Sequence, residues 1–195
     1  LDKVKQVADV RDGEIMFGLN MVVHKGKTIF VGDTSVHEYP TSEQMAEIAI
    51  STARVVRLFG FEPRAAFVSH STFGQPLTSR TKHIRKAVDI LKEKKVDFIF
   101  DGDMQPDVAL NPEYEELYPF SKIVGNANIL IMPGQHSAAI SYKMMKTLGD
   151  TKVIGPLLIG LGLPVEIAPL RSSTSEIINL ASIAAYSADV IKYSK

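Results

Sequence analysis

The sequence contains no cysteine and no tryptophan, and its formal charges cancel, with 22 Lys and Arg residues against 22 Asp and Glu residues. The absence of cysteine excludes disulfide bonds, thiolate metal sites and a cysteine nucleophile. The balanced charge provides no long-range attraction to a polyanion. We therefore expect no nucleic-acid partner and no membrane partner, and any anion-binding site must be built locally.

Long apolar runs are also missing, since the longest ones have the length of a strand. The first residues, Leu1–Gln6, lack the apolar segment of a signal peptide, and with the lack of cysteine this favours a cytoplasmic location. Leu1 is not an initiator methionine, so we expect a piece of a longer polypeptide. A chain of 195 residues with 45% hydrophobic content can bury one sizeable core, which predicts one domain over residues 1–195.

The apolar residues alternate between a period of 2 and a period of 3.6, which is typical of a layered α/β fold. Capping-box pairs, Thr41 with Gln44 and Ser173 with Glu176, mark the starts of two helices. In the last helix the apolar face comprises Ile177, Leu180, Ala181, Ala184, Ala188 and Ile191. Further helices are expected at 79–94 and 135–148, a hairpin at 21–31, and strands at 65–69, 97–101, 127–132, 153–160 and 165–168.

An apolar strand runs directly into small hydroxyl residues and a glycine at Phe67–Gly74. This arrangement can present backbone N–H groups and hydroxyls to a phosphate-like anion, although many strand-to-helix turns have the same composition for purely structural reasons. If the strands are parallel, loops 69–79, 101–111 and 132–136 meet at one edge of the sheet, where ligands of open α/β sheets bind.

Two sets of residues have side chains of the kind that bind metal ions, but neither set has the pattern of a metal site. The acidic segment Asp101–Asp107 lacks the calcium-loop pattern and its terminal glutamate, which favours carboxylates that cap a loop and the next helix. His24, His37, His70 and His83 show no metal-ligand spacing. No metal site is predicted, and His136, at a helix start, is expected to face solvent or to cap the helix.

Eight short segments resemble, in order, the phosphate acetyltransferase family, and the resemblance covers the chain from about Phe17 onward. The segment Ser69–Gly74 followed by the acidic Asp101–Met104 is most similar to one branch, the C-terminal acetyltransferase-like domain of bacterial NADP-dependent malic enzymes. The segments are Ala46–Ile50, Phe59–Arg64, Ser69–Gly74, Asp101–Asp107, Pro119–Ser121, Gly125–Ile129, Ile140–Lys143 and Gly155–Gly160.

The resemblance implies a three-layer, Rossmann-like, two-lobed phosphate acetyl/butyryltransferase fold that forms a homodimer, with acetyl-CoA or CoA as ligand near the cleft. Carried onto this sequence, the expected acetyl-CoA contacts are Ser69, Ser71, Thr72, Gly74, Gln135, Ser137 and Arg171.

In the active transferases that this chain resembles, an acidic residue deprotonates the CoA thiol, which attacks acetyl phosphate while an arginine stabilises the developing charge. This sequence departs from that pattern at two places. Phe73 stands where the active branch has a lysine, and a gapless match puts Leu170 at the arginine position. A shift of one residue restores Arg171, and Glu176 then matches the acidic base, so these two residues are catalytic only if the transferase is active.

Three functions follow as hypotheses. The leading one is an acetyl-CoA-binding regulatory domain of an NADP-dependent malic enzyme, the oxaloacetate-decarboxylating malate dehydrogenase, without transferase activity of its own. NADP, the divalent metal and the malic catalytic domain would then belong to a part of the polypeptide outside this sequence. The alternatives are an active phosphate acetyl- or butyryltransferase, and a structural dimerisation domain without a ligand.

Overall fold

The computed structural model describes residues 2–193 as a sheet of seven strands with helices on both faces. The strands are β1 (Phe17–His24), β2 (Lys27–Gly32), β3 (Arg64–Val68), β4 (Ile99–Met104), β5 (Ile129–Ile131), β6 (Thr151–Ile159) and β7 (Val165–Glu166). The helices are α1 (Asp2–Lys5), α2 (Ser42–Leu58), α3 (Ser79–Lys94), α4 (Pro106–Leu110), α5 (Gln135–Leu148) and α6 (Thr174–Tyr193), with a 3₁₀-helix at Pro112–Leu117.

The strand order is β4-β3-β5-β2-β1-β6-β7. The first four strands in this order are parallel, whereas β1 pairs antiparallel with both β2 and β6, and β7 pairs antiparallel with β6. Parallel neighbours end at the same edge, so the segments that follow β2, β3, β4 and β5 meet there. The predicted convergence of loops 69–79 and 132–136 is confirmed.

Side chains that alternate along the strands fill two cores, one on each face of the sheet. Phe67 packs with α2 and α3 on one face, whereas its neighbours Ala66 and Val68 pack with α4 and α5 on the other. This gives the three layers that the sequence predicts.

The local signals in the sequence describe the helix starts well. Thr41 and Gln44 form a reciprocal capping box at the start of α2, with the Thr41 hydroxyl accepting from the Gln44 N–H at 3.1 Å. Ser173 and Glu176 do the same at the start of α6. The hairpin turn between β1 and β2 is also confirmed, with positive φ at Lys25 and Gly26.

Two sequence expectations need correction. Strand β4 is Ile99–Met104 rather than 97–101, so Asp101 and Asp103 belong to the strand and not to the loop after it. In α6, Leu180 is buried but Ile177 is 49% exposed, and Ala181 and Ala188 are exposed as well. The side chain of Ile191 lies outside the described residues. Within residues 2–193, no helix has the length and apolar character needed to cross a membrane.

Candidate functional site at the carboxyl edge of the sheet

The loop after β3 is fastened to the end of β4. The N–H of Ser69 donates to the carbonyl of Met104 at 2.9 Å, and the N–H of Phe73 donates to the carbonyl of Asp103 at 2.6 Å. The side chains of Ser71 and Asp103 are fully buried, and the Ser71 hydroxyl donates to Oδ2 of Asp103. The buried hydroxyl of Ser71 therefore stabilises the conformation of this loop.

Thr72 and Gly74 complete this loop. Oγ1 of Thr72 accepts from the N–H of Gln105 at 3.2 Å, which joins the loop to the start of α4. Gly74 has φ +81°, a backbone conformation that residues with a Cβ rarely adopt, so another residue there would be strained. The ring of Phe73 packs edge-on against Phe120 at 4.8 Å between centroids. An aromatic contact thus occupies the place that the resemblance gives to a lysine.

The start of α5 lies after the neighbouring strand β5. Gln135 donates its N–H to the carbonyl of His37 at 3.0 Å, and the Ser137 hydroxyl donates to the carbonyl of Gly134 at 2.8 Å. His136 is exposed, as the sequence predicts, and its Nε2 lies 3.2 Å from Oε1 of Glu38. The structure therefore places Gln135 and Ser137 at the same edge as Ser69, Ser71, Thr72 and Gly74.

Asp33, directly after β2, organises this edge and is absent from the sequence-based set. Its buried Oδ1 accepts from the N–H groups of Gly18, Ser35 and Val36, at 2.8 to 3.1 Å. Oδ2 accepts from the N–H of His37 at 2.8 Å and lies 2.7 Å from its Nδ1. The signal that could have revealed it is an aspartate between a strand-ending glycine and a Thr-Ser pair, a typical Asx-turn composition.

Arg171 and Glu176 are not brought to this edge. Glu176 contacts Lys146, which lies eleven residues along α5 from Gln135, or roughly 16 Å at the helical rise. Arg171 is exposed in the turn before α6, and Leu170 is fully exposed beside it. The structure thus places Glu176, and Ser172 next to Arg171, beside the far part of α5 and not at its start.

The Glu176 carboxylate is fully engaged. Lys146 donates to Oε1 at 2.9 Å, and the N–H and hydroxyl of Ser173 donate to Oε2 at 2.8 and 3.0 Å. The Lys146 hydrogen bond, followed by those of Ser173, lowers the pKa of Glu176 to about 2. Such a group is ionised at neutral pH and is a weak proton acceptor.

Glu176 and Lys146 border a small cavity of about 60 Å³ between α5, β6 and α6, which Tyr142, Gly155 and Pro156 also line. Burial raises the pKa of the Tyr142 phenol. In the part of the chain that the structure describes, no three His, Asp or Glu side chains lie close enough together to hold a metal ion.

The fold is a three-layer α/β domain with polar loops at the carboxyl edge of its parallel strands, and comparison with known proteins gives its family. Residues 1–185 match the phosphate acetyl/butaryl transferase family, and the chain belongs to it. The chain is 45% identical over 188 residues to an NADP-dependent malic enzyme of Rhizobium meliloti, covering 96% of this chain and 25% of that protein. It is 33% identical to a phosphate acetyltransferase of Bacillus subtilis, covering 92% of this chain and 56% of that protein.

A solved phosphotransacetylase from Streptococcus pyogenes superposes with a TM-score of 0.88 at 31% identity, over 94% of this chain and 57% of that one. The phosphotransacetylase fold predicted from the sequence is therefore confirmed. The chain spans about a quarter of the length of the malic enzymes it matches, so it corresponds to a domain of a larger polypeptide there.

Proposed function

We propose that this chain is an acetyl-CoA-binding regulatory domain of an NADP-dependent malic enzyme and that it has no phosphate acetyltransferase activity of its own. The malic chemistry, with its NADP and divalent metal, takes place in another domain of the same polypeptide. The malic enzymes among the relatives support this assignment, since this chain matches one part of each of them.

The state of Glu176 is the observation that carries the proposal. A transferase needs a base for the CoA thiol, and an unperturbed thiol has a pKa of about 8.5. A carboxylate with a pKa of about 2 lies roughly six pH units below this value, which is a poor match for proton transfer. Lys146 and Ser173 also occupy both of its oxygens, so Glu176 acts as a helix-capping residue.

The arginine position supports the same conclusion. Leu170, which a gapless match puts there, is fully exposed and carries no charge. Ser172, which follows Arg171, lines the same cavity as Lys146 near the end of α5. A lost transition-state cation typically costs orders of magnitude in rate. The lysine position of the first loop holds Phe73, whose ring packs against Tyr118 and Phe120.

The edge of the sheet supports retention of the ligand. The loop at Ser69–Gly74 and the start of α5 are rigidly positioned by hydrogen bonds to β4, α4 and the segment after β2. Backbone N–H groups at the start of a helix attract phosphate, which CoA carries. Regulation further requires that acetyl-CoA favour one arrangement of the whole polypeptide over another.

Calorimetric titration of the 195-residue chain with acetyl-CoA in phosphate buffer tests both halves of the proposal. We expect saturable binding and no continuing heat of turnover. Gln135→Ala combined with Ser137→Ala should weaken binding, whereas Ser182→Ala, an exposed serine on α6, should leave it unchanged. Sustained turnover would indicate an active transferase, and no binding would favour a structural role.

A further inference from the structure

A second and larger cavity, of about 570 Å³, lies away from the edge described above. The C-terminal half of α2, the connection from β6 to β7, the segment at 11–14 and Ser187 of α6 line it. Its volume is within the range of pockets that hold small organic molecules. Much of its lining is apolar and includes Val55, Leu158, Leu161 and Leu163.

The lining of this cavity contains three arginines and two glutamates. Arg11, Arg54 and Arg57 line it, and a guanidinium stays charged at any pH at which proteins fold. Arg54 is paired with Glu14 at 2.8 Å, and Arg57 with Asp97 at 3.0 Å. Among the described residues, the side chain of Arg11 makes one hydrogen bond, from its Nε to the carbonyl of Leu161 at 2.8 Å. Its Nη1 lies 3.9 Å from Oε1 of Glu14, which is beyond hydrogen-bond distance, so its terminal nitrogens retain donors for a ligand.

Glu166 faces the same cavity from β7 and has an unsatisfied atom. Its Oε2 is buried and has no hydrogen-bond partner among the described residues. Burial raises the pKa of Glu166 to about 8, so the carboxyl is mostly protonated at neutral pH and can donate its O–H. A buried polar atom without a partner calls for an explanation, and a bound molecule that supplies the partner is one.

From this geometry we infer that the cavity is a further small-molecule site, which takes an organic anion with an apolar body and one acidic group. The apolar walls hold the body, the terminal nitrogens of Arg11 bind the acid, and Oε2 of Glu166 shares a proton with an oxygen of the ligand. The site is independent of the proposed acetyl-CoA site, since the two share no residue.

The probe 8-anilinonaphthalene-1-sulfonate combines an aromatic body with one sulfonate, and its fluorescence reports transfer to an apolar site. Titrated into the 195-residue chain, it should bind saturably at one site. Leu163→Trp, which fills the cavity from a half-exposed position, should weaken binding at least tenfold, and Arg11→Gln about tenfold.

The control is Leu148→Ser, because Leu148 is 80% exposed at the end of α5 and does not line the cavity. This variant should bind the probe as the unmodified chain does. The affinity should also fall from pH 6 to pH 9, as Glu166 ionises in a cavity that Glu14 also lines, and Glu166→Gln should remove that dependence. Circular dichroism confirms that each variant is folded.

Four results would overturn the inference. They are the absence of saturable binding, unchanged affinity in both Leu163→Trp and Arg11→Gln, loss of binding in Leu148→Ser, and the same pH dependence in Glu166→Gln as in the unmodified chain.

Discussion

Lys146 near the end of α5 donates to Glu176 in the first turn of α6, with 2.9 Å between Nζ and Oε1. This bond is the largest cause of the lowered pKa of Glu176. Lys146→Gln should therefore raise the pKa of Glu176 toward its ordinary value of about 4.5. NMR titration of the glutamate carboxyl carbons measures this pKa directly.

A matched control exists in the same chain. Glu43 also has a pKa of about 2, and its largest cause is the hydrogen bond from Lys86, at 2.8 Å. Lys86→Gln should raise the pKa of Glu43 and leave that of Glu176 unchanged, and Lys146→Gln should do the reverse. A shift of Glu176 in the Lys86 variant would contradict the assigned cause.

Glu166 should make the stability of the fold fall as pH rises. Its pKa is about 8 in the folded state and 4.5 when the side chain is unperturbed, so the folded state binds the extra proton between these values. The contribution of Glu166 to the free energy of unfolding is then highest below pH 4.5 and decreases toward pH 8. Because the side chain is partly exposed, we expect a loss of about 2 to 3 kcal/mol rather than the full value of the shift.

Glu166→Gln removes this ionisation. The free energy of unfolding of this variant should therefore fall less between pH 5 and pH 8 than that of the unmodified chain. Urea unfolding at both pH values measures the difference. Glu62→Gln, at an exposed position, serves as the control and should follow the unmodified chain. Parallel pH dependences of Glu166→Gln and the unmodified chain would count against the buried carboxyl.

Asp33, which is buried, should contribute more to stability than the exposed Asp97. Asp33→Ala leaves several N–H groups around a buried position without their acceptor, at a cost of about 3 kcal/mol or more. Asp97→Ala, which removes a 79% exposed partner of Arg57, should cost less than about 1 kcal/mol. Urea unfolding at pH 7 compares them, and equal losses would be inconsistent with the buried network.

Ser71→Ala should destabilise the fold even without a ligand. The change removes the donor to Oδ2 of Asp103, whose Oδ1 already lacks a partner among the described residues, and both side chains are fully buried. We expect a loss of about 1 to 3 kcal/mol. Ser182→Ala on the exposed face of α6 should change stability by less than about 0.5 kcal/mol. Thermal unfolding without ligand separates this structural role from binding.

Helix boundaries are predicted well because their signals are local. The ends of α3 and α5 agree with the expected 79–94 and 135–148, and the capping pairs of Thr41 and Ser173 form as expected. A cap needs only residues that lie within one turn of each other, so the sequence alone contains the information.

The sequence-based predictions are wrong where residues far apart in the chain determine the structure. Strand β4 extends to Met104 because it pairs with β3, where Gly102 lies opposite Phe67, and no local pattern encodes that register. The spacing of the apolar residues in α6 predicts an apolar face, but it does not show which part of that face another element covers. Ile177 is therefore exposed although Leu180 is buried. The separation of Arg171 from the start of α5 depends on the path of the chain after β7 and could not be read from spacing.

Strand β1 has consequences for synthesis on the ribosome. It forms its hairpin with β2 early, but its other edge pairs with β6, where Thr151 follows its partner His24 by 127 residues. Until β6 emerges, β1 exposes a row of unpaired backbone groups that can bind another nascent chain. A segment made more than a hundred residues later therefore completes β1, and truncation before residue 151 leaves an open edge prone to aggregation.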